Sequence, residues 1–483
     1  MSVDVKSPPK GSLLVLALAA TAYALAQTAV VPAMTGMAEA LHTSSTSVTW
    51  VLTGYLVSAA ILTPVIGRLG DMFGKRRMLL IALVLFGAGA VMAAVVSNIW
   101  LLVVARVLQG AGGGIFPLCF GIISDDFPPH RRPGALGLIS AIAGIGAGAG
   151  LLLGGLLIDH TSYHWIFWSG AIMAALAILG VRTLPAGNHH VRGKVDYAGA
   201  VLLAVGVTAP LIALTKTADW GWTDARVLGL IAVGLLVLVS FGLFERRISE
   251  PLVDMSVLGR PTVLATNIAT VLAGFAMFGA FVLIPQIAQT PKASGYGLGM
   301  DATHAGLLLL PACLMMLVAG AVCGKLSARS GGKVPLALGM LTAAGGLGLL
   351  ATQHGSATTI VIYSMIVFAG IGLAMAAMPN LIVGAVPRSM TGQATGVNAL
   401  IRSLGSSIGS QVAATLLAGS VTAGMLLPTD HAFGEAFAIG AVAAAVAAAA
   451  ALLIPRTGTA QAESVAGIAA RPAVTSSGAG RGD

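Results

Sequence analysis

The stretch GRLGDMFGKRRML, residues 67–79, gathers charge in a chain that otherwise carries very little of it. Five of its thirteen residues are charged, whereas Asp, Glu, Lys and Arg make up only 9% of the 483 residues. Long apolar runs lie on both sides of the stretch, and it contains glycines at Gly67, Gly70 and Gly74. Glycine permits tight turns and basic side chains gather at membrane headgroups, so the pattern indicates a short loop between two membrane spans.

The rest of the chain has the composition of a membrane protein. It is 57% hydrophobic, with a mean hydropathy of +0.93. A soluble domain of this size could not cover its surface with so few charges. Apolar runs of about 20 residues recur, and the first is interpreted as a span because no small-residue cleavage pattern follows it. We predict fourteen spans, at residues 12–34, 48–67, 78–97, 99–123, 135–158, 163–185, 197–215, 227–245, 262–289, 303–324, 334–352, 358–385, 393–419 and 433–454.

Lysine and arginine in the loops predict the orientation of these spans. An even number of spans places both termini on one side of the membrane. That side holds 21 of the 26 lysine and arginine residues, and the opposite side holds three. Basic loops favour the cytoplasmic side, so we predict that both termini are cytoplasmic. The net charge of +9 is interpreted as loops held at anionic headgroups, not as a nucleic-acid surface.

The loop pattern recurs in the second half of the chain. Four positions align at one constant offset of 257 residues, namely Gly67, Leu69, Gly74 and Arg76 with Gly324, Leu326, Gly331 and Lys333. A looser similarity relates residues 128–135 to residues 387–394. Internal repeats of this kind are typical of secondary transporters, which bind substrate between the halves near the midplane of the membrane.

We therefore predict an all-α multi-pass membrane protein of fourteen transmembrane helices, with two pseudo-symmetric six-helix bundles and two extra helices between them. The two extra helices, residues 197–245, are expected at the periphery. The expected parts are a cytoplasmic N-terminal tail (1–11), an N-terminal six-helix bundle (12–185), a linker with the two extra helices (186–250), a C-terminal six-helix bundle (251–455) and a disordered cytoplasmic tail (456–483).

Several motifs together resemble one known family. Residues 67–77 look like the loop motif of the major facilitator superfamily. Residues 50–67 and the stretch RVLQGAG, residues 106–112, resemble the fourteen-helix drug:proton antiporter, or multidrug efflux, branch of that family. Residues 164–168 resemble the start of span six in the family. The resemblance covers roughly residues 12–455. Span five matches the glycines of the antiporter motif, with Leu151 in place of its proline, at Gly146, Gly150, Gly154 and Gly155.

The resemblance implies that the loop motif acts as a latch on the cytoplasmic side. Basic side chains in the motif could also serve simply as headgroup anchors, but Asp71 has no use in such an anchor. The resemblance places Asp71 near the N-terminus of a helix in the other half, and span thirteen begins on that side with a dipole that favours a carboxylate. The members of the latch motif are Gly67, Asp71, Gly74, Lys75 and Arg76. The resemblance also implies that span five faces the other half and prevents ion leak, although its small residues would equally suit ordinary helix packing.

Two arginines lie inside predicted spans. Arg106, followed by Gln109 and Gly110, is in span four, and Arg402 is in span thirteen. A buried arginine is costly, so both are candidates for coupling or substrate binding. The alternatives are a structural tie to carbonyl groups or Gln109 for Arg106, and a side chain extended to the interface for Arg402. Other polar residues within spans could line a cavity or bridge helices, namely Gln27, Thr28, Tyr55, Asn267, Gln286, Asn398 and Gln411.

Acidic residues are missing from the middle of every predicted span. Members of the resembled branch commonly carry an aspartate in span one, where this chain has Ala26. A buried carboxylate would suit a cationic substrate, so its absence favours a neutral, zwitterionic or anionic lipophilic substrate over a dication. The remaining candidates for proton coupling lie at span edges, at Asp71, Asp125, Asp126, Asp301 and Glu435.

These features predict a secondary active transporter that exports small lipophilic compounds of the drug or antibiotic type. Alternating access with protons as the coupling ion is the expected mechanism. An uptake symporter or uniporter for a small neutral or anionic metabolite is the alternative. A receptor or scaffold is a remote alternative, because it would more plausibly carry a sizeable soluble domain.

We predict neither an enzyme nor a metalloprotein. Asp125, Asp126 and His130 form the nearest constellation to a catalytic site, and they lie in a short turn without a cleft. Three cysteines in apolar runs imply neither a disulfide framework nor a metal site. We expect no cofactor and no nucleic-acid partner, and we expect a monomer in the inner (plasma) membrane of a bacterium.

Overall fold

A computed structural model describes residues 11–43, 45–184, 195–420 and 427–455. Helices account for most of these residues, and none of them forms a β-strand. An α-helix satisfies its own backbone hydrogen bonds, which an apolar segment in lipid requires. The tail at 456–483, nearly all of the tail at 1–11 and the linker residues 186–194 lie outside the described residues, so the expectations for them stay predictions.

The first bundle contains six membrane crossings built from eight helices. Several of them end at or just before a glycine or a charged residue, as α3 does before Gly74 and α6 does at Asp126. A short 3₁₀ turn, Val31–Ala33, follows the first helix. The helices are α1 (Ser12–Thr28), α2 (Met34–Ala40), α3 (Ser45–Phe73), α4 (Lys75–Val95), α5 (Ile99–Gln109), α6 (Ile115–Asp126), α7 (Arg132–His160) and α8 (Tyr163–Val181).

Span four is not the continuous helix that the sequence predicted over residues 99–123. A 3₁₀ turn at Gly110–Gly114 separates α5 from α6. A Cβ atom added to Gly110 would lie 2.5 Å from Ser58 Oγ, and one added to Gly113 would lie 2.5 Å from Thr63 Oγ1. The glycines therefore let α3 pack directly against the turn, while their low helix propensity explains the break.

The second bundle repeats the packing of the first. Its helices are α11 (Met255–Leu258), α12 (Pro261–Gln289), α13 (Ala302–Ser330), α14 (Lys333–Thr352), α15 (Ala357–Ala385), α16 (Thr391–Gly419) and α17 (Asp430–Leu452). Helix α12 packs against α16 and α17, as α1 packs against α7 and α8. Gly74 follows α3 with a φ of +97°, and Gly331 follows α13 with a φ of +74°. Positive φ favours glycine, so the repeated sequence pattern forms an equivalent turn in each bundle.

Fourteen membrane crossings are present in the described part of the chain. Thirteen of the described helices are long and apolar enough to cross a membrane. The fourteenth crossing is α16, which has 29 residues and is more polar than the others. At 1.5 Å per residue its length of about 43 Å is sufficient to span the bilayer.

The two extra helices, α9 (Tyr197–Trp220) and α10 (Ala225–Glu245), occupy different environments. Helix α10 packs mainly on α9 and is largely exposed, which suits the expected peripheral position. Helix α9 packs in the groove between α3 and α16 and so contacts both bundles, while Val201 and Val205 on it stay exposed; its peripheral placement stays a prediction. Its Leu203 and Val207 join an apolar cluster with Ala60 and Val397. Trp222, just beyond α9, donates a hydrogen bond from Nε1 to Thr415 Oγ1 at 2.7 Å.

The two bundles meet through α3 with α16 and through α7 with α13. Glycines bring the backbones close at these contacts. A Cβ atom on Gly67 would lie 2.3 Å from the carbonyl oxygen of Gly392, and one on Gly137 would lie 2.7 Å from that of Gly320. We call the end of the molecule that carries Gly67 and Gly392 the latch end. The bundles are tightly closed there.

Candidate functional site

Asp71 joins the two bundles at the latch end. Its carboxylate lies near the end of α3 and is fully buried. Its Oδ1 accepts the backbone N–H of Gly392 at 3.2 Å, and its Oδ2 accepts that of Gln393 at 2.9 Å. These N–H groups belong to the first turn of α16, which has no intrahelical partners for them and carries the positive end of the helix dipole. Asp71 therefore caps a helix of the opposite bundle.

Lys75 extends this contact into a buried charge cluster. Its ammonium lies 3.4 Å from Asp71 Oδ1 and 2.7 Å from Asp125 Oδ2. It also donates a hydrogen bond to the carbonyl oxygen of Arg388 at 3.2 Å, in the opposite bundle. Lys75 is therefore not a headgroup anchor, which was one interpretation of the sequence. The exposed side chain of Arg77 is better placed for that part.

The other members of the latch motif have separate parts in the geometry. Gly67 permits the close approach to Gly392 described above, and Gly74 forms the positive-φ turn between α3 and α4. Arg76 donates from Nε to the carbonyl oxygen of Val181 at 3.2 Å. Arg76 therefore ties α4 to α8 within one bundle, and its hydrogen bonds to other described residues stay on that side of the latch.

The resemblance had led us to expect that the glycine motif of span five faces the opposite bundle. The structure places these glycines elsewhere. Added Cβ atoms on Gly146, Gly150 and Gly154 would lie within 2.2 Å of atoms of α1. Gly155 has open space around it. The glycines that face α13 are instead Gly137, Gly144 and Gly148. Residues two apart point to nearly opposite sides of a helix, so one glycine-rich stretch packs against both neighbours of α7.

Arg106 is a structural tie in this conformation. Its side chain is completely buried. It donates from Nη1 to Gln109 Oε1 at 2.6 Å and from Nε to the carbonyl oxygen of Val51 at 3.2 Å. Its guanidinium also stacks on Tyr55, 3.9 Å from the ring centroid. These contacts pair its Nε and Nη1 atoms within the first bundle, whereas its buried Nη2 has no hydrogen-bond partner among the described residues. The residue does not line the central cavity described next.

A central cavity of about 130 Å³ lies between the bundles. Its apolar wall includes Phe116, Met277, Phe278 and Met375. Serines of α16 form a polar stripe along the opposite wall, at Ser403, Ser406, Ser407 and Ser410. A cavity of about 150 Å³ holds a single aromatic ring, whereas drug-sized ligands need about 300–1,000 Å³. The bundles would therefore have to separate further to admit a drug-sized molecule.

Arg402 lies at the boundary between this cavity and a smaller pocket of about 20 Å³. Phe116, Ala143 and Met375 also line both spaces. Toward the latch end the smaller pocket continues along α16 to Thr395 and Asn398. These residues mark a path from the central cavity toward the latch. Arg402 lies on this path, where the central cavity ends and the smaller pocket begins.

Among the polar residues that the sequence offered as cavity candidates, Gln27 lines the central cavity and Asn398 lines the smaller pocket. The remaining five line neither space in this conformation, where each lies in a helix contact or at the surface, so their part in a cavity stays a prediction. Tyr55 lies beneath Arg106, and Thr28 packs between α1 and α7. Asn267 accepts a hydrogen bond from Asn398, and Gln411 accepts one from Thr217 of α9. Gln286 is exposed.

The acids at the span edges also lie away from the cavity. No aspartate or glutamate is among the residues that line it. Asp301 caps α13 by accepting the backbone N–H of His304 at 2.7 Å. This bond, with one from the His304 side chain, lowers the pKa of Asp301. Glu435 is paired with His431 at 3.2 Å near the surface.

Sequence reasoning missed the serine stripe, although its signal is present in the sequence. Positions 403, 406, 407 and 410 are three or four residues apart and therefore share one face of a helix. It also missed the wall of aromatic and methionine side chains, because apolar residues in a span carry no sign of which neighbour they face.

Comparisons with known proteins agree with this architecture. The family profile described as Major Facilitator Superfamily matches residues 16–410. The chain is 30% identical over 426 residues to the tetracenomycin C resistance and export protein of Streptomyces glaucescens, covering 86% of this chain and 77% of that protein. It is 26% identical over 374 residues to multidrug resistance protein 3 of Bacillus subtilis (strain 168), covering 76% and 72% of the two chains.

Solved structures show the same fold at lower sequence identity. The human organic anion transporter MFSD10 superposes with a TM-score of 0.63 at 15% identity, covering 93% of this chain and 100% of that chain. The proton:xylose symporter XylE superposes with a TM-score of 0.62 at 16% identity, covering 92% and 95%. At these identities the likeness concerns the fold alone.

Proposed function

Because the chain belongs to the Major Facilitator Superfamily, we propose that it exports small lipophilic compounds by alternating access in antiport with protons. The family and the relatives are transporters, so the chain is a membrane transporter and not an enzyme. Relatives named for tetracenomycin C resistance and export and for multidrug resistance support outward transport of drug-like compounds.

The observation that carries the proposal is the central cavity. It lies between the two bundles, has a largely apolar wall and contains the serine stripe. The path from it toward the latch end is closed by the contacts of α3 with α16 and of α7 with α13. Export requires that this closure breaks, so that a compound can enter from the latch end before the molecule opens on the opposite side.

The latch is also our candidate for proton coupling. Asp71, Lys75 and Asp125 form a buried cluster of titratable groups whose contacts must change when the latch opens. A proton on Asp71 would remove the charge that caps α16, which would favour the open latch. The loop charges support a cytoplasmic latch end and cytoplasmic termini. We propose that the transporter acts as a monomer in the bacterial plasma membrane.

Transport into inverted membrane vesicles tests this function. Tetracenomycin C, chosen because a relative is named for its export, and the neutral fluorophore N-phenyl-1-naphthylamine serve as probes. Imposing an acidic vesicle interior should drive accumulation of at least one probe, and collapsing the pH gradient should stop it. The variant Asp71→Asn should lose most of this flux while inserting normally into the membrane, because asparagine has one acceptor oxygen where Asp71 uses two and lacks the charge that pairs with Lys75.

The conservative variant Asp254→Asn is the matched control. Asp254 caps the short helix α11, and asparagine is an equally good cap, so its flux should be unchanged. Gradient-driven movement of the probes in the opposite direction would support uptake instead of export. Unaltered flux in Asp71→Asn would remove the latch from the proposed mechanism.

A further inference from the structure

Arg402 holds the one formal charge among the residues that line the central cavity and the smaller pocket. It lies eleven residues after the start of α16, so its Cα atom is about 16 Å from that end of the helix. It lines both spaces, so its side chain faces the cavity rather than the lipid headgroups. The position is therefore on the path that a transported molecule would follow.

The guanidinium of Arg402 lies near the Tyr23 hydroxyl of the cavity wall, with which it interacts electrostatically, but it has no hydrogen-bond or ion-pair partner among the described residues. No hydrogen bond or ion pair of its guanidinium is found in that part of the chain, whereas Arg106 is held by Gln109, by carbonyl oxygens and by Tyr55. A charge at membrane depth needs compensation. For Arg106 the protein supplies most of that compensation, although its Nη2 stays unpaired. For Arg402 the protein supplies the nearby Tyr23 hydroxyl, and hydrogen bonds to the guanidinium are left to the contents of the cavity.

The nearby serines leave the guanidinium as the strongest donor in the cavity. Ser403 donates to the carbonyl oxygen of Ala399 at 3.1 Å, and Ser406 donates to that of Arg402 at 2.9 Å. Ser410 donates to the carbonyl oxygen of Ser407 at 3.0 Å. These hydroxyl protons are directed into α16 itself, so an anionic group in the cavity would be bound mainly by Arg402.

The walls around Arg402 suit the remainder of such a ligand. Phe116 and Met375 line both the central cavity and the smaller pocket, as Arg402 does. Met277 and Phe278 continue the apolar wall of the central cavity. Aromatic rings and thioethers accommodate flat apolar groups of varied shape. The site therefore combines one fixed positive charge with an adaptable apolar surface.

We propose that Arg402 is the recognition residue for a lipophilic monoanion, with the ligand's carboxylate, or a comparably acidic group, on the guanidinium and its apolar body against the wall. This inference rests on the proposed export function and narrows its substrate class. A carboxylate accepts two parallel hydrogen bonds from the planar guanidinium of arginine. The ammonium group of a lysine in its place could not donate such a pair. A cationic compound would meet an uncompensated like charge and should bind weakly.

The test is equilibrium binding to the purified full chain in lipid nanodiscs. Three probes share one apolar body and differ in charge: 1-naphthoate, 1-naphthamide and 1-naphthylmethylammonium. Their two fused rings are larger than the closed cavity admits, so their binding reports on molecules whose bundles have separated further. The unmodified chain should bind 1-naphthoate about tenfold or more tightly than 1-naphthamide, and the ammonium most weakly. In Arg402→Gln the affinity for 1-naphthoate should fall about 10- to 100-fold, the range expected for a charge-assisted hydrogen bond. The affinity for 1-naphthamide should change little.

Two variants and one blank make the result decisive. Arg402→Lys keeps the charge without the fork and should bind 1-naphthoate with intermediate affinity, and it replaces Arg402→Gln if that variant does not fold. Arg247→Gln, an exposed arginine beyond α10, should match the unmodified chain for all probes. Empty nanodiscs correct for partition into lipid.

Several results would overturn the inference. For the unmodified chain, these are equal affinity for 1-naphthoate and 1-naphthamide, or no saturable binding of 1-naphthoate. For the Arg402 variants, they are an unchanged affinity for 1-naphthoate in both, or an equal loss of affinity for all three probes. The assay needs no gradient and no transport. Failure here with intact vesicle flux would therefore reject the anion site alone, whereas intact recognition without flux would reject the export function.

Discussion

Single residues in the transmembrane helices show three ways of accommodating a buried charge. Asp71 is compensated by two backbone N–H groups of another helix and by Lys75. Arg106 is compensated by carbonyl oxygens, Gln109 and the face of Tyr55. Arg402 faces the cavity near the Tyr23 hydroxyl, without a hydrogen-bond or ion-pair partner among the described residues. The first holds two bundles together, the second holds one bundle together, and the third is available to a ligand.

The variant Arg106→Ala should lower stability more than transport. It would leave the buried Gln109 without its donor and a void over the face of Tyr55, which together should destabilise the fold by about 2–4 kcal/mol. Less folded protein should be recovered and the melting temperature should fall, while flux per folded molecule should stay near that of the unmodified chain. Arg106→Lys should not restore stability, because one ammonium cannot replace the fork of donors.

The exposed Arg226, which lies over Trp220 at 5.1 Å from the ring centroid, is the matched control. Arg226→Ala should change neither quantity appreciably, since exposed contacts of this kind contribute little. A normal melting temperature with lost flux per molecule in Arg106→Ala would instead assign Arg106 a direct part in transport.

The sequence could place both arginines inside spans, but it could not assign their roles. Each is an isolated charge in an apolar run, and the difference arises from what the neighbouring helices present to it. For Arg106 these are the carbonyl oxygens of Ala26 and Val51, more than fifty residues away in the chain. Asp71 was easier to interpret, because an acid among basic anchors needs a separate explanation and span thirteen offered a helix N-terminus.

At the level of secondary-structure elements, the glycines of α7 divide between two packing faces. Those at Gly146, Gly150 and Gly154 contact α1, and those at Gly137, Gly144 and Gly148 contact α13. The first face is fixed within one bundle, whereas the second lies where the bundles must separate. The spacing predicted close packing correctly, but spacing alone does not reveal which neighbour a face meets.

Two adjacent glycines of α7 provide a sharp test of this packing. In Gly154→Ala the new Cβ atom would lie 2.0 Å from the carbonyl oxygen of Ala29, and relieving that overlap should cost about 1–3 kcal/mol. Gly155→Ala places its Cβ atom in open space and gains helix propensity of up to about 1 kcal/mol. Thermal unfolding of both variants in detergent checks the prediction, and equal stability of the two would contradict the α1–α7 contact.

Helix α16 shows why hydropathy identifies some crossings better than others. Its apolar content is reduced by the serine stripe and by polar residues of its first turns, all of which face protein or cavity. A scan for apolar helices therefore passes over a helix that contributes to the latch, the smaller pocket and the central cavity. Its membrane-spanning character was predictable from its length, its glycines and its place in the repeat.

For the whole molecule, the closed latch end makes bundle separation measurable through a native thiol. Cys313 on α13 is buried against α7, where a Cβ atom on Gly148 would lie 2.2 Å from its Sγ. Cys119 is buried inside the first bundle. Separation of the bundles should expose Cys313 and leave Cys119 protected.

We expect Asp71→Asn to raise the rate of N-ethylmaleimide labelling at Cys313 by about tenfold or more, since the lost charge-assisted hydrogen bonds contribute about 1.5–3 kcal/mol to the closed state. The rate is measured by mass spectrometry in a background of Cys119→Ala and Cys323→Ala. A matched background that retains only Cys119 should show no change. Equal acceleration at both thiols would indicate general unfolding and contradict a specific opening.

The place of α9 in the groove between α3 and α16 separates the cavity from the hydrocarbon of the bilayer on that side. Leu211 of α9 contributes to the cavity wall, so acyl chains of the surrounding lipid are kept from that side of the space that holds Arg402. Hydrocarbon would raise the solvation energy of the guanidinium steeply, whereas water or an anion lowers it. Helix α9 thus separates the charged guanidinium of Arg402 from the low-dielectric lipid. The separation is the width of one helix.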